Sequence, residues 1–262
     1  MGYDGFTYDG VTSDDMGVII CSFDGGNEIS AIGSSVEITT VKSPNSNRWL
    51  KTNASHKEPL AFTFSICKNP CDNDNDMSFS ADEQREIVRW LARKDYHYLS
   101  FDQDGFENIY YNCYIVLDKK QVAGKTIGFN LTVSCDAPFG YSDERIIKTT
   151  DEEVTILDTS DEIGSIIPTT TITVKSNGTV TLYNENTNET TTIENCIAGE
   201  KITFTDMLRA SSNSTDHSTF YDDFNYVYPK IQNSFRSNVN KIQLTNCSLL
   251  TMTWREIRKA VI

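Results

Sequence analysis

One candidate for chemistry is the thiol of Cys135, which is followed directly by Asp136 in the segment VSCDAPFGYSDE. A nucleophilic cysteine needs a nearby base and a group that orients this base. Cys135 alternates with Leu131 and Val133 along a strand-like run, which places these side chains on one face of a sheet. The pattern therefore favours a core position. Because the chain also lacks Gly-x-Ser-x-Gly, His-Glu-x-x-His and a phosphate-binding glycine loop, the sequence predicts no enzyme.

A second candidate is a metal site at Cys67 and Cys71. Zinc sites usually need four ligands from cysteine or histidine, and no second cysteine pair stands at a suitable spacing. The three histidines, His56, His97 and His217, are far apart in the sequence, so none pairs locally with another. The sequence therefore predicts no metal ligands and no cofactor.

The acidic run after Cys71 resembles the beginning of a calcium-binding loop. Counted from the first aspartate, the positions that match the EF-hand pattern are Asp72, Asp74, Asp76 and Glu83. Met77 stands where that pattern needs a glycine for a sharp turn, and no apolar helix precedes the run. A solvated acidic loop is the favoured interpretation, and cation binding by residues 72–83 stays an open alternative.

Composition and charge exclude several classes of protein. The 262 residues are 38% hydrophobic and 23% charged, as in folded proteins, and the length suits two domains. Residues 1–150 carry 14 basic and 22 acidic side chains, and residues 151–262 carry 9 and 15, so neither half is a basic module that grips nucleic acid. No apolar run is long enough for a membrane span, and the first residues lack the pattern of a secretion signal. The seven cysteines are an odd number, which favours reduced and buried thiols.

The first half of the chain has the pattern of an α+β domain. Strand-like runs surround one convincing helix, Ala81–Lys94, which Ser80 and Glu83 begin with a capping box. The predicted packing face of the helix consists of Ile87, Val88, Trp90 and Leu91. The predicted strands include Val36–Val41, Leu60–Cys67, Tyr96–Phe101, Tyr110–Val116 and Thr126–Cys135. Asp9-Gly10 is a signal for a tight turn near the start.

A polar span, Lys42–Pro59, lies between two of these strands. Its length predicts a long hairpin or an arm that reaches beyond its own domain. Within it, Arg48, Trp49 and Leu50 combine a cation, a large aromatic ring and an aliphatic side chain. Such a group is typical of a protein–protein anchor, so we predict an interface at these three residues. The alternative is that Trp49 folds back onto its own sheet.

The second half of the chain has the pattern of a β-sandwich, with short strands, turn signals and no convincing helix. Asn177-Gly178 is a hairpin signal between the strand-like runs Thr170–Val174 and Thr179–Tyr183. Arg209–Asn225 is polar and is predicted to be a loop.

The joint between the two halves is predicted at Pro138, Phe139, Gly140 and Tyr141. Proline ends the preceding strand because it has no N–H to donate, and glycine permits a bend. The two aromatic side chains can anchor the exit of the chain against either domain. We therefore place the boundary near residue 145, with domains 1–145 and 146–262.

Several segments, taken in order, carry a resemblance to a known family. They are Phe6–Val18, the strand Leu60–Cys67, the helix with Arg85-Glu86-Ile87-x-x-Trp90-Leu91, the strand pair around Phe101 and Tyr110-Tyr111, the end Phe129–Tyr141 and the final Trp254–Arg258. Together they resemble the distal tail proteins (the Dit family) of long-tailed, non-contractile bacteriophages. The resemblance covers nearly the whole chain. It implies a mainly β, α+β fold: a β-sheet domain with one helix and a long hairpin arm, then a galectin-like β-sandwich.

What the resemblance implies is structural and not catalytic. Such proteins form a hexameric ring, the baseplate hub, at the distal end of the tail tube in the virion, after assembly in the bacterial cytoplasm. The N-terminal domains and arms form the ring, which links the tube protein to the tail-tip protein and to receptor-binding proteins for host adsorption. DNA passes through the lumen without specific binding, and a wall with few cations avoids tight phosphate contacts. No membrane insertion is implied.

The alternative function is a carbohydrate-binding module in which the sandwich recognises glycans of the host cell wall. Such a site needs exposed aromatic side chains along a groove. The available set is Tyr221, Phe224, Tyr226 and Tyr228. The favoured interpretation is that these side chains pack in the core or in an interface.

Overall fold

The computed structural model describes residues 5–23, 36–44, 47–71, 77–103, 105–234 and 237–259. The chain divides into two compact units, of which unit 1 is Met1–Ser142 with Arg258–Ile262 and unit 2 is Asp143–Ile257. Both units consist mainly of antiparallel strands, and the mainly β fold class predicted from the sequence is confirmed. Neither helix in the described residues has the length and apolar character that a membrane span requires.

Unit 1 is built on one seven-stranded sheet. Its elements are β1 (Gly5–Tyr8), β2 (Val11–Thr12), β3 (Val18–Cys21), β4 (Val36–Lys42), β5 (Trp49–His56), β6 (Ala61–Lys68), α1 (Ala81–Leu91), β7 (His97–Asp102), β8 (Tyr111–Val122) and β9 (Lys125–Cys135). The strand order in the sheet is β2-β1-β7-β8-β9-β6-β3, and β4 and β5 form a separate two-stranded sheet. The next strand, β10 (Gly140–Thr149), contains the division between the units.

The predicted turn at Asp9-Gly10 is confirmed. Tyr8 and Val11 are paired across β1 and β2, so Asp9 and Gly10 form a two-residue hairpin loop. Both have positive φ angles, 53° and 76°, which is the backbone that a type I′ turn needs.

Helix α1 covers one face of the sheet with an apolar stripe. Ser80 caps it, and the capping box with Glu83 is confirmed, since each residue bonds the backbone N–H of the other. Ile87, Trp90 and Leu91 are buried at the spacing of one helical face. Val88 was expected on this face but is exposed, because it lies next to Ile87 around the helix and not above it.

Unit 2 consists of two packed sheets. Its elements after β10 are β11 (Glu153–Leu157), β12 (Gly164–Ile166), β13 (Thr169–Val174), β14 (Gly178–Asn184), β15 (Glu189–Cys196), β16 (Lys201–Phe204), β17 (Ala210–Ser212), α2 (Phe220–Asp223), β18 (Ile231–Asn233), β19 (Val239–Thr245) and β20 (Cys247–Arg258). The sheets have the orders β10-β20-β13-β16-β17 and β11-β19-β14-β15, and β12 pairs with β18. Inward-facing residues of both sheets share one core, as in a sandwich.

Two local predictions in the second half are wrong. Asn177-Gly178 is not a hairpin turn between paired strands, because β13 pairs with β16 and β20 whereas β14 pairs with β15 and β19. The chain changes sheets at this point. The segment Arg209–Asn225 is not wholly a loop either, since it contains β17 and the short helix α2, and Phe220 and Phe224 enter the core.

Candidate assembly interface

The hairpin of β4 and β5 is the candidate arm. Its strands pair antiparallel from Val36 opposite His56 to Lys42 opposite Trp49, with one irregularity after Thr39. The arm is therefore longer than the polar span predicted from the sequence, because the strand that precedes this span is one of its two legs. The second leg, Trp49–His56, lies within the span.

Apolar side chains are exposed on both faces of the arm. Val36 and Ile38 are two residues apart on β4 and share one face, whereas Val41 lies on the other face opposite Leu50. All four are more than half exposed, and Trp49 is exposed over 64% of its surface. Trp49 is therefore not part of the buried core of the described residues, and its role at an interface stays a prediction. Arg48 precedes Trp49 and is exposed at the turn end of the arm.

The base of the arm contacts the predicted joint. The ring of His56, at the end of β5, lies 6.5 Å from the ring of Phe139 in an edge-on arrangement. Phe139 in turn contacts Tyr141, with 5.7 Å between the ring centres. Two of the four predicted joint residues therefore connect the base of the arm to the start of β10.

The backbone of the joint is fixed by hydrogen bonds. The N–H of Leu60 donates to Ala137 O, and the N–H of Cys135 donates to Leu60 O, both at 2.9 Å. Tyr110 and Tyr141 exchange a pair of backbone bonds at 2.8 Å. β9 ends at Cys135, three residues before Pro138. These hydrogen bonds therefore fix the bend through which the chain leaves the sheet.

Gly140 is required by close packing and not by its backbone angle. A Cβ at this position would lie 2.8 Å from Cγ2 of Ile109 and 3.0 Å from the ring of Tyr111. Any larger residue at position 140 must displace one of these side chains.

Cys135 lies in the core, as its alternation predicts. Its side chain is buried beside Val133 and Leu131 in the core of unit 1. Burial, followed by the charge of Asp136, raises the pKa of the thiol to about 12. The thiol therefore stays protonated at neutral pH and is a poor nucleophile. On the next strand, Cys113 stands directly opposite Cys135 and is buried as well.

Only part of the proposed calcium loop lies within the described residues. Asp72, Asp74 and Asp76 fall outside them. The carboxylate of Glu83 is bound to the N–H of Ser80 at 2.6 Å and to Nζ of Lys68 at 2.7 Å. Lys68 is buried against the ring of Phe79, so Glu83 supplies its counter-charge.

Unit 2 contains a buried cluster of polar side chains that spacing did not reveal. Among the described residues, one ligand atom each of Cys196, Glu200 and His217 lie within 4.8 Å of one another, and all three residues are buried. Nδ1 of His217 is 2.8 Å from a Glu200 oxygen, and Nε2 is 3.2 Å from Oδ2 of Asp223. The three positions come from the end of β15, from the turn before β16 and from the segment before α2.

Two family models match the chain. One is described as a phage tail protein N-terminal domain and matches residues 1–137, and the other as a phage tail C-terminal domain and matches residues 139–254. The chain belongs to this family of phage tail proteins. No curated protein matches the sequence of this tail protein.

The tail protein has the fold of a solved distal tail protein. Dit (gp 19.1) of phage SPP1, described as a paradigm of the hub adsorption apparatus in phages that infect Gram-positive bacteria, matches with a TM-score of 0.63. The match covers 97% of this chain and 99% of that one at 12% sequence identity. The resemblance to distal tail proteins is confirmed.

The aromatic set of the tail protein's sandwich is divided between core and surface. Phe224 is buried and Tyr228 packs against the core, whereas Tyr221 and Tyr226 are each exposed over about 60% of their surface. The ring of Tyr221 lies next to that of Phe220, and the ring of Tyr226 lies next to that of Phe224. The rings of Phe220 and Phe224 stack on each other.

Proposed function

We propose that this phage tail protein forms a hexameric ring, the baseplate hub, at the distal end of the tail tube. The observation that carries the proposal is the arm, a separate two-stranded hairpin with apolar side chains exposed on both faces. Exposed groups of large apolar side chains mark interaction surfaces in soluble proteins. A second copy of the chain is the occupant that a closed ring provides.

The two faces of the arm fit a position between neighbouring subunits. One partner can cover an arm that has a single apolar face. This arm has apolar side chains on both faces, Val36 with Ile38 on one and Val41 with Leu50 on the other, so a partner is needed on each side. Trp49 is the expected anchor, because large aromatic side chains contribute most to interfaces when they enter a partner's pocket. Arg48 and Leu50 complete the proposed contact.

We further propose that the two domains connected by the joint Pro138–Tyr141 have different roles. Residues 1–145 are the ring-forming tail domain, and residues 146–262 are a galectin-like domain that carries or contacts other tail components. The expected partners are the tube protein on one side of the ring and the tail-tip and receptor-binding proteins on the other. In this role the protein supports host adsorption without catalysis.

The net charge of −14 is consistent with a channel for DNA. A wall with few cations does not form the phosphate contacts that slow a passing duplex. A strongly basic lumen in the assembled ring would contradict this part of the proposal.

The mass of the full chain in solution tests the ring. We expect light scattering of the purified chain to give a closed oligomer and negative-stain images to show rings. The variant Trp49→Ala and a deletion of residues 42–59 are expected to shift the mass toward the monomer while the circular dichroism of the sheets is retained. A strict monomer at high concentration, or an unchanged ring mass in both variants, contradicts the proposal.

Tyr221→Ala is the matched control. Tyr221 is exposed to nearly the same extent as Trp49, at 60% and 64%, but lies in unit 2. Loss of an exposed aromatic ring there is expected to leave the ring mass unchanged. An equal loss in both variants would indicate that general surface hydrophobicity holds the oligomer together.

A second candidate function is glycan recognition by the sandwich. Exposure of Tyr221 and Tyr226 supports it, because sugar rings stack on exposed aromatic side chains. A glycan array with the full chain tests this candidate. Binding that is lost in Tyr221→Ala and Tyr226→Ala supports it, and no binding to host wall glycans excludes it.

A further inference from the structure

The cluster at Cys196, Glu200 and His217 has the chemistry of a metal site. Thiolate, imidazole and carboxylate are the three donor types that zinc takes in proteins. A thiolate in the set disfavours calcium and magnesium, which prefer oxygen donors. We propose that unit 2 binds one divalent transition-metal ion, of the Zn²⁺ class, through Cys196 Sγ, Glu200 Oε1 and His217 Nδ1.

The side chains around the three donors have the arrangement that orients the ligands of a metal site. A histidine that binds a metal nearly always donates its other N–H to a carboxylate or carbonyl group, which fixes the ring. Nε2 of His217 faces Oδ2 of Asp223 at 3.2 Å. Asp223 is itself held by the hydroxyl of Thr219 and by the side-chain amide of Asn195.

The carboxylate of Glu200 is oriented in the same way. The hydroxyl of Ser212 donates to Oε1, and the backbone N–H of Ile197 donates to Oε2 at 2.9 Å. The side chain of Glu200 has no solvent exposure. These two donors and His217, whose Nδ1 lies 2.8 Å from Oε1, hold both oxygens of the carboxylate in place.

The contacts of His217 also suit a metal ligand. Both ring nitrogens face carboxylate oxygens, and both contacts are hydrogen bonds when the ring carries two protons. If an ion replaces the proton at Nδ1, the lone pair of Nδ1 binds the metal and the N–H at Nε2 still donates to Asp223. The thiol of Cys196 then releases its proton to solvent when it binds.

The donors need a small movement to hold an ion. Tetrahedral donors at roughly 2.0 to 2.3 Å from zinc lie about 3.3 to 3.8 Å apart. Nδ1 of His217 and Oε1 of Glu200, now 2.8 Å apart, would therefore separate, and Cys196 Sγ lies within 4.8 Å of both residues' donor atoms. Cys196 Sγ now donates to Ile193 O at 3.4 Å, and the thiolate would give up this hydrogen bond when it binds the ion. The ion would join the end of β15 to the segment before α2, and a water molecule would complete its tetrahedral coordination.

Cobalt(II) and zinc titrations of the full chain test the proposal. After treatment with a chelator, we expect the chain to bind one Co²⁺ per molecule with a thiolate-to-cobalt charge-transfer band and the intense visible bands of a tetrahedral ion. Zn²⁺ should displace the cobalt and raise the midpoint of thermal unfolding, whereas Ca²⁺ should do neither. A chain that takes up no cobalt, or binds it without a thiolate band, overturns the proposal, and this result needs no variant.

Variants then locate the ion. Cys196→Ser should abolish the charge-transfer band, and the matched control Cys247→Ser, at a half-buried cysteine of the same unit, should retain it. Asp223→Asn should keep the stoichiometry but weaken the affinity about 10- to 100-fold, as expected for a residue that orients a ligand. A band that survives Cys196→Ser would place the ion at another cysteine and overturn the assignment.

Discussion

The indole N–H of Trp90 donates to the backbone carbonyl of Tyr8 at 2.9 Å, which joins helix α1 to the first strand of the sheet. The two residues are 82 positions apart in the chain. The Trp90 ring also stacks on Phe6, with ring centres 5.3 Å apart and planes within 11°. One side chain thus provides both a polar and an apolar contact between the helix and β1.

We expect Trp90→Phe to lower the free energy of unfolding by about 1–3 kcal/mol, because it leaves the Tyr8 carbonyl without its donor. Trp254→Phe is the matched control. Trp254 is buried in unit 2, and its N–H has no hydrogen-bond partner among the described residues. Urea unfolding followed by circular dichroism measures both variants. Equal losses would show that the hydrogen bond of Trp90 contributes nothing.

The cap of helix α1 should depend on pH through Glu83. The hydrogen bond from Lys68, and to a lesser extent those from Ser80, lower the pKa of Glu83. A lowered folded-state pKa contributes stability above the unfolded value of about 4.3, and this contribution is lost as the pH falls through the folded-state pKa. Glu83→Gln should cost about 1 kcal/mol at neutral pH, mostly from the cap, because solvent screens the half-exposed ion pair.

Unfolding free energies of the wild type and Glu83→Gln between pH 7 and acid test this prediction. The difference between the two proteins should shrink as the pH falls below about 4. Glu86→Gln, on an exposed position of the same helix, is the control and should give no such trend. A constant difference across the whole pH range would exclude the proposed role of the ionised carboxylate.

A buried carboxylate in the sandwich should be sensitive to truncation. Glu256 has no solvent exposure, and it accepts hydrogen bonds from Arg145 at 3.0 Å and from the N–H and hydroxyl of Thr159 at 3.0 and 2.6 Å. Glu256→Ala should destabilise the protein by about 2–4 kcal/mol, because it leaves buried donors without an acceptor. Glu153→Ala removes an exposed carboxylate on β11 and should change the stability by less than about 0.5 kcal/mol in the same urea experiment.

Gly128 should not tolerate a side chain. A Cβ at this position would overlap the ring of Phe23 and would lie 2.5 Å from the carbonyl oxygen of Ile66. Gly128→Ala must therefore push β9 from β6, and we expect a cost of about 1–3 kcal/mol. Ser134→Ala on the same strand is the control. Thermal unfolding that is unchanged in Gly128→Ala would show that both Phe23 and the backbone at Ile66 move aside at little cost.

Local signals in the sequence predict the elements of this fold more reliably than their partners. The capping box at Ser80 and the Asp9-Gly10 turn depend on neighbouring residues alone, so both are predictable. The Asn177-Gly178 turn has the same local chemistry as a hairpin, but the flanking strands enter different sheets. That choice depends on the distant strands β19 and β20, which no local pattern identifies.

The same distinction applies to the sites. Alternation with Val133 predicts that Cys135 is a core residue, because period 2 is a local property of one strand. The cluster of Cys196, Glu200 and His217 combines residues from separate segments, and the segment of His217 reads as a polar loop. A signal was present in Phe220 and Phe224, whose apolar spacing of four residues indicates that this loop is anchored in a core.

The facing thiols of Cys113 and Cys135 are protected from oxidation by their burial in the sheet. Burial raises the pKa of both thiols, so the thiolate that attacks oxidants and disulfides is nearly absent. Neighbouring cysteines on adjacent strands would otherwise be prone to oxidative damage. Their position inside the sheet therefore protects both thiols from oxidants in the surrounding solvent.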